Sequence, residues 1–355
     1  MGPVYNRMSG DRMTLHEVAK RAKVSIATVS RTINHVPTVD RTLARRVWRA
    51  VEEVGYSPNT YARALVSGHN RVLGLMVSEV VHLYFPEIVQ RFADLGLERG
   101  YEILLSPMPS DASGIISSAR RLIEHRIVGV AVLSFTNPLP LYDFFKQRKV
   151  PLFVFNAESP GAQIKSLSID YQHGIRQAVQ HLAALGHSRI AFVTGPEDFG
   201  PAMEQKSAFE QCMNEIDLQT PSEQLIEAGL ESGAAAISAL IRSQDPPSAV
   251  VCSNDVTAAK VMQEAHARGL HIPRDMSVVG IGDLRVAQFT TPALTTIQVP
   301  PEEIAKVAFE ALVESVAVQK QVVSYASYVV ETDLVIRNST GLALDRKKRP
   351  QRTDV

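Results

Sequence analysis

Two sets of residues in this 355-residue chain have types and spacings suited to recognition chemistry. The first lies between Ser25 and Asn34. Ser25 is a good cap for a short helix, which would expose Ile26, Ala27, Thr28, Ser30, Arg31 and Asn34. A guanidinium such as that of Arg31 can bond guanine O6 and N7 in a bidentate fork, and small neighbours let a helix sink into the major groove. The second set stands at the ends of apolar runs farther along. Asp283 ends SVVGIGD, and Asn254-Asp255 end AVVCSND. Polar groups beyond the carboxyl ends of strands are where a small molecule finds partners. A carboxylate at Asp283 could accept two ligand hydroxyls or hold an amine, or it could cap the next turn. Asp255 is expected to cap the following helix, which leaves Asn254 as the ligand contact. Tyr84-Phe85 follow the first apolar run, and an aromatic pair there suits either core or ligand.

Covalent and phosphate chemistry find no comparable support. Gly195–Gly200 has the glycine spacing of a phosphate loop, but Pro201-Ala202 stand where Lys and Ser/Thr are required. Gly280-Ile-Gly282 follows a strand-like run without the third glycine of a dinucleotide fingerprint. No G-x-S-x-G elbow or H-E-x-x-H zinc pair occurs, and the ten histidines are scattered. Cys212 and Cys252 stand far apart with no metal-ligand spacing around them. The expectation is a protein without catalytic residues, cofactor or metal.

The elements that must position the first set can be read locally. Thr14-Leu-His-Glu17 is a capping box, followed by the stripe Leu15, Val18, Ala19, Ala22. Lys23-Val24 make a short break before the helix that begins at Ile26, whose inward face is Val29 and Ile33. Asp40 can cap a third helix through Val54, with Leu43, Val47, Val51 and Val54 inward and Arg41, Arg45, Arg46 and Arg49 outward. Two short helices joined by a tight turn and braced by a third describe a helix-turn-helix. On pattern alone, an ordinary three-helix bundle with solvated arginines is equally open.

From Arg71 onward, apolar runs of strand length (72–78, 101–107, 128–134, 151–156, 189–195, 249–255, 277–283) alternate with amphipathic helical stretches. Strands apolar throughout belong to parallel sheets covered on both faces. About 270 residues are too many for one such sheet, so two Rossmann-like subdomains are expected. The chain should cross between them near 165–170, near 296–301 and again near 325–332. The fold expected is thus a small all-α helix-turn-helix domain plus an α/β body of two parallel-sheet subdomains.

Charge agrees with a division of labour. The chain is neutral overall, with 37 Lys+Arg and 37 Asp+Glu, yet residues 1–70 carry a net +6 and the remainder −6. A basic piece on an acidic body suits a protein of which only that piece meets a polyanion. No apolar run approaches the roughly 18 residues of a membrane span, and residues 1–13 lack the apolar stretch of a secretory signal. Both point to the cytoplasm, with no membrane partner.

LHEVAKRAKVSIATVSRTIN, followed by VEEVGYSPNTYARAL, resembles the lactose/galactose-repressor (LacI/GalR) family of bacterial transcription factors over residues 14–340. The resemblance implies that Ile26, Ala27 and Arg31 read bases and that Thr14 and Asn59 belong to the DNA-facing set. It makes Pro58–Ser67 a hinge helix, with Ala62 at a close approach and Leu65 as a minor-groove wedge. It also implies a periplasmic-binding-protein-like body whose cleft holds an effector against Tyr84, Phe85 and His173, with Phe199, Pro201 and Leu230 at variable positions. One departure stands out: the family commonly carries an Arg four residues before the Phe of its A-G-F segment, and here SAF ends at Phe209 with Gln205 at that place. A neutral amide lacks the charged fork that Arg offers a diol or carboxylate.

The domain expectation is then an extension at 1–12, a DNA-binding domain at 13–57, a hinge and linker at 58–70, an effector-binding and dimerisation domain at 71–340, and a disordered basic tail at 341–355. The larger domain divides into 71–168 with 300–328 and 169–299 with 329–340. The function expected is a regulator, repressor in type, that binds double-stranded pseudo-palindromic operator DNA as a homodimer and answers to a small-molecule effector. A solute-binding protein sharing the same body is the alternative; it would need a signal peptide and no basic helix-turn-helix.

Overall fold

In a computed structural model, the chain is described at residues 15–33, 38–56, 70–78, 85–135, 139–155, 164–194, 200–218, 225–227, 233–242, 245–318 and 326–344. It divides into two compact units, Met1–Asn70 and Arg71–Val355.

The first unit holds three helices, α1 (Leu15–Ala22), α2 (Ile26–Ile33) and α3 (Arg41–Val54). Their inward stripes, Val18, Ala19 and Ala22 with Val29, Ile33, Val47, Ala50 and Val51, close a small core of their own. Asp40 caps α3 by accepting from the backbone N–H of Thr42 and Leu43, and Gly55 ends it in the left-handed conformation at φ 66°.

The second unit contains two six-stranded sheets among the described residues. The first is built from β1 (Val72–Val77), β2 (Glu102–Pro107), β3 (Gly129–Leu133), β4 (Leu152–Phe155), β5 (Lys165–Asp170) and β11 (Ala326–Glu331), in the order β11-β5-β4-β3-β1-β2. The second takes β6 (Ile190–Thr194), β7 (Leu225–Glu227), β8 (Ala249–Cys252), β9 (Ser277–Gly282), β10 (Thr295–Gln298) and β12 (Asp333–Val335), in the order β12-β10-β9-β8-β6-β7. Every pairing is parallel except β10 with β12, so the second sheet has one antiparallel edge that the apolar-run reading did not anticipate. The first sheet's helices are α4 (Phe85–Arg99), α5 (Ala112–Glu124), α6 (Leu139–Gln147) and α12 (Pro301–Ala317). The second has α7 (Tyr171–Ala184), α8 (Gly200–Glu215), α9 (Gly233–Arg242), α10 (Asp255–Ala267) and the short α11 (Arg285–Phe289).

The chain passes between the sheets three times. It leaves the first after Asp170, returns after Gln298 so that α12 packs on α4 and β3, and passes again between β11 and β12. These passes are pinned together. Thr332 donates from Oγ1 to the Asp170 carbonyl at 2.7 Å and accepts from the Gly174 N–H at 3.0 Å. A Cβ at Gly174 would collide with Ile297 and Thr332, so the pinch needs glycine. One apolar core runs continuously through both halves, from Leu73 and Phe92 to Val279 and Ile297.

Candidate functional site

In the helical unit, Ser25 Oγ accepts from the N–H of Thr28 at 3.1 Å and meets Thr28 Oγ1 at 2.9 Å, which fixes the start of α2. Burial then sorts the helix. Val29, Thr32 and Ile33 are buried, Thr28 and Ser30 half-buried, and Ile26, Ala27 and Arg31 exposed. An isoleucine left 40% exposed beside an alanine and an arginine is an apolar-plus-basic face of the kind that enters a groove. The turn before it is tight: Lys23 takes φ 51°, and the Val24 N–H donates to the Ala19 carbonyl at 3.1 Å. Arg46 faces outward, as expected, but is not simply solvated. Although exposed, its Nη2 donates to the carbonyls of Ala22, at 2.6 Å, and Lys23, at 3.3 Å. It thereby satisfies carbonyls that the end of α1 leaves without helical partners. Arg45 and Arg49 are exposed, as expected. Thr14, Asn34, Asn59, Ala62 and Leu65 lie outside the described residues.

In the larger unit a cavity with about 380 Å³ of empty space, partly open to solvent, lies at strand carboxyl ends. Tyr171 follows β5; Ser253 and Asn254 follow β8; Ile281 and Gly282 end β9; Val299 follows β10. Pro201 and Gln205 come from the start of α8, Leu284 from the turn after β9, and Phe135 from beyond β3 of the other sheet. Among the described lining residues no side chain is ionised at neutral pH, since burial holds the Tyr171 phenol protonated.

Gln205 and Asn254 supply the polar groups. The Gln205 amide hydrogen-bonds the Tyr171 phenol, while its buried Oε1 has no partner among the described residues. Asn254 lines the cavity and also caps α10, its Oδ1 accepting from the Thr257 N–H at 2.8 Å. Asn254 thus keeps its expected place at the cavity and takes over the cap expected of Asp255. Asp255 does not cap the helix; its carboxylate turns inward, accepts from the Leu284 N–H at 2.6 Å and from Thr296 Oγ1, and fills the space beside Gly280. Burial pushes its pKa up to about 6, with the Thr296 and Leu284 bonds opposing.

Asp283 does not line this cavity but a wider pocket beside it, together with Gly282, Leu284 and Gln298. The residue sits at φ 53°, its Oδ1 is ion-paired with Arg337 Nη2, and its Oδ2 accepts from Gln298 Nε2 at 3.1 Å. The left-handed turn at the strand end swings the carboxylate toward the C-terminal segment, which Arg337 also anchors by donating from Nη1 to the Leu294 carbonyl at 2.9 Å. Phe85 is likewise absent from the lining. It is fully buried and stacks on Phe135, with centroids 4.8 Å and planes 25° apart, so it backs the ring that does line the cavity. His173 stands at the start of α7 near Gln177 and Asp333, away from the lining. Tyr84, Phe199 and Leu230 fall outside the described residues. Phe135, Tyr171, Ser253 and Val299 were missed; the polar end of VGVAVLSF and the aspartate-capped start of α7 were the signals available.

Among the described residues, no helix is long and apolar enough to cross a membrane, and no cluster of His, Cys, Asp or Glu could hold a metal ion.

Comparison with known proteins agrees with both halves of this geometry. Residues 14–59 match the bacterial regulatory proteins of the lacI family, and residues 179–340 match the periplasmic binding protein-like domain. The HTH-type transcriptional repressor PurR of Aliivibrio salmonicida is 28% identical over 306 residues, covering 85% of this chain and 92% of that protein. The repressor of the same name from Salmonella typhi is 29% identical over 312 residues, covering 87% and 92%. The structure of a CelR regulator–cellobiose complex superimposes with a TM-score of 0.69 at 26% identity, over 92% of this chain and 99% of that one. The Lac repressor dimer bound to operator and the anti-inducer ONPF shares the fold, with a TM-score of 0.80 at 24% identity over the same shares. With its helix-turn-helix matched at one end and its two-sheet body at the other, the chain is similar to the lacI family of bacterial regulatory proteins in both parts.

Proposed function

We propose that this protein is a cytoplasmic, repressor-type regulator that binds a pseudo-palindromic operator as a homodimer and changes its operator affinity when a small molecule enters the cleft. One observation carries the reading: α2 buries Val29, Thr32 and Ile33 while presenting Ile26, Ala27 and Arg31 to solvent. A solute-binding role gives those residues nothing to do. Nor does the cleft suggest catalysis, because its described lining has no nucleophile paired with a base.

Regulation follows from the three pinned passes. Two sheets joined there can change their mutual angle, and an effector held between Phe135 on one side and Gln205, Asn254 and Ile281 on the other would favour one angle. Arg285 and Glu87, 3.3 Å apart on α11 and α4, span the same division at the surface. In a dimer, that angle would set the spacing of the segments leading to the two DNA-binding units.

Selection from a pool of random duplexes with the full chain tests the reading. The expected result is enrichment of an inverted repeat whose binding weakens steeply with salt. Uniform recovery of all sequences would overturn it.

A further inference from the structure

The chemistry of the cavity narrows the effector class. Its walls are mainly apolar: Ile281, Leu284, Val299, Pro201 and the ring of Phe135. That ring is held rigidly, stacked on Phe85 and edge-on to Phe155 at 5.8 Å. The carboxylate at the end of β9, Asp283, is taken by Arg337 and Gln298, and Asp255 is turned into the protein. What remains is Oε1 of Gln205, an acceptor 98% removed from solvent as part of its side chain and without a partner among the described residues. Such an atom carries a desolvation penalty that a ligand donor would relieve. Asn254 adds a donor: its Nδ2 has only a long 3.5 Å contact with Ser253 Oγ, while Oδ1 is engaged by the helix.

We infer that the cleft takes a compact, uncharged, mainly apolar ring compound that presents an O–H or N–H to Oε1 of Gln205. The inference rests on the reading of this cleft as the effector site. An anionic ligand would find no paired cation in the described lining, and a polyol would leave most of its hydroxyls against hydrocarbon.

Calorimetric titration of the full chain with four single-ring probes tests the class. Phenol supplies ring and donor, anisole the ring alone, benzoate a charge, and glucose a set of hydroxyls. Phenol is expected to bind about tenfold more tightly than anisole, with benzoate and glucose weaker still. Gln205→Leu keeps similar volume without the acceptor, and is expected to erase the preference of phenol over anisole. A general loss of folding would not do this, because it would abolish both. Binding of benzoate or glucose as tight as phenol, absence of phenol binding, or a phenol preference that survives in Gln205→Leu would each overturn the inference. The duplex selection is scored on the same preparation and does not depend on the probes. Loss of the inverted repeat would count against the regulator reading, while a wrong ligand class would not.

Discussion

Arg46 on α3 holds the last carbonyl of α1: its Nη2 lies 2.6 Å from the oxygen of Ala22. The basic face of α3 is therefore two things at once. Arg45 and Arg49 stand exposed, whereas Arg46 ties the turn that leads into α2. Arg46→Ala should lower the stability of the helical unit by about 1–2 kcal/mol, the range for a hydrogen bond from a charged group that is only partly buried. Arg49→Ala should leave the melting midpoint unchanged, weaken all DNA alike and flatten the salt slope by about one. Thermal melts and salt titrations on the two variants separate the roles; an unchanged melt for Arg46→Ala would show the clamp to be idle.

Arg31 is exposed on the second helix, beside Ile26 and Ala27. Removing a bidentate base contact typically forfeits about 1–3 kcal/mol of discrimination. Arg31→Ala should therefore lose selected-site affinity by that amount and relax preference at one base pair in each half-site, with non-specific binding less affected. Competition between the selected duplex and single-base variants measures it. Unaltered preference would move the reading helix elsewhere.

The Asp283–Arg337 pair is a brace. Its side chains are 10% and 16% exposed, and its loss strands a largely buried guanidinium. Asp283→Ala should lower unfolding free energy by about 2–4 kcal/mol. Adding Arg337→Leu should recover part of it, since the orphaned charge leaves with its partner. Urea unfolding of the single and double variants gives the coupling. If Asp283→Ala abolished ligand binding at wild-type stability, Asp283 would be a ligand contact after all.

Asp255 makes stability depend on pH in the less familiar direction. Its folded pKa of about 6 exceeds the ordinary 3.8, so the folded state binds the proton more tightly than the unfolded chain. Its contribution is favourable below about 4 and declines as pH rises through about 6. Above that the buried charge costs about 3 kcal/mol relative to the protonated form. Asn at this position can accept from the Leu284 N–H and donate to Thr296. The stability of Asp255→Asn relative to wild type should thus increase from pH 4 to pH 6 and then level off. A difference that is flat with pH would show that Asp255 titrates normally.

Much of the fold was legible because helical and strand periods are strong where burial is one-sided or complete. Val18, Val29 and Val47 announce the helical core, and VLGLMV or SVVGIG announce central strands. Four elements escaped, β7 and the short α11 among them. KSLSID became β5 and TTIQ became β10, although hydroxyls and a lysine break their apolar runs. Their polar groups are satisfied only by partners distant in the chain: Lys165 donates to Glu314 and to the Ala311 carbonyl, and the hydroxyls of Thr295 and Thr296 meet Thr340 and Asp255. The same limit governs the site. SVVGIGD shows that a carboxylate ends a strand, but not that a left-handed turn hands it to Arg337, some fifty residues on.

The threefold passage between the sheets also bears on synthesis. The first sheet begins at Val72, yet α12 and β11, which complete it, are encoded beyond residue 300. A growing chain leaving the ribosome can close the helical unit early, because its three helices are contiguous and share a private core. The larger unit must wait for β11. A message truncated before Ala326 would therefore yield a DNA-binding segment attached to an unfinished body, able to engage nucleic acid but deaf to any metabolite.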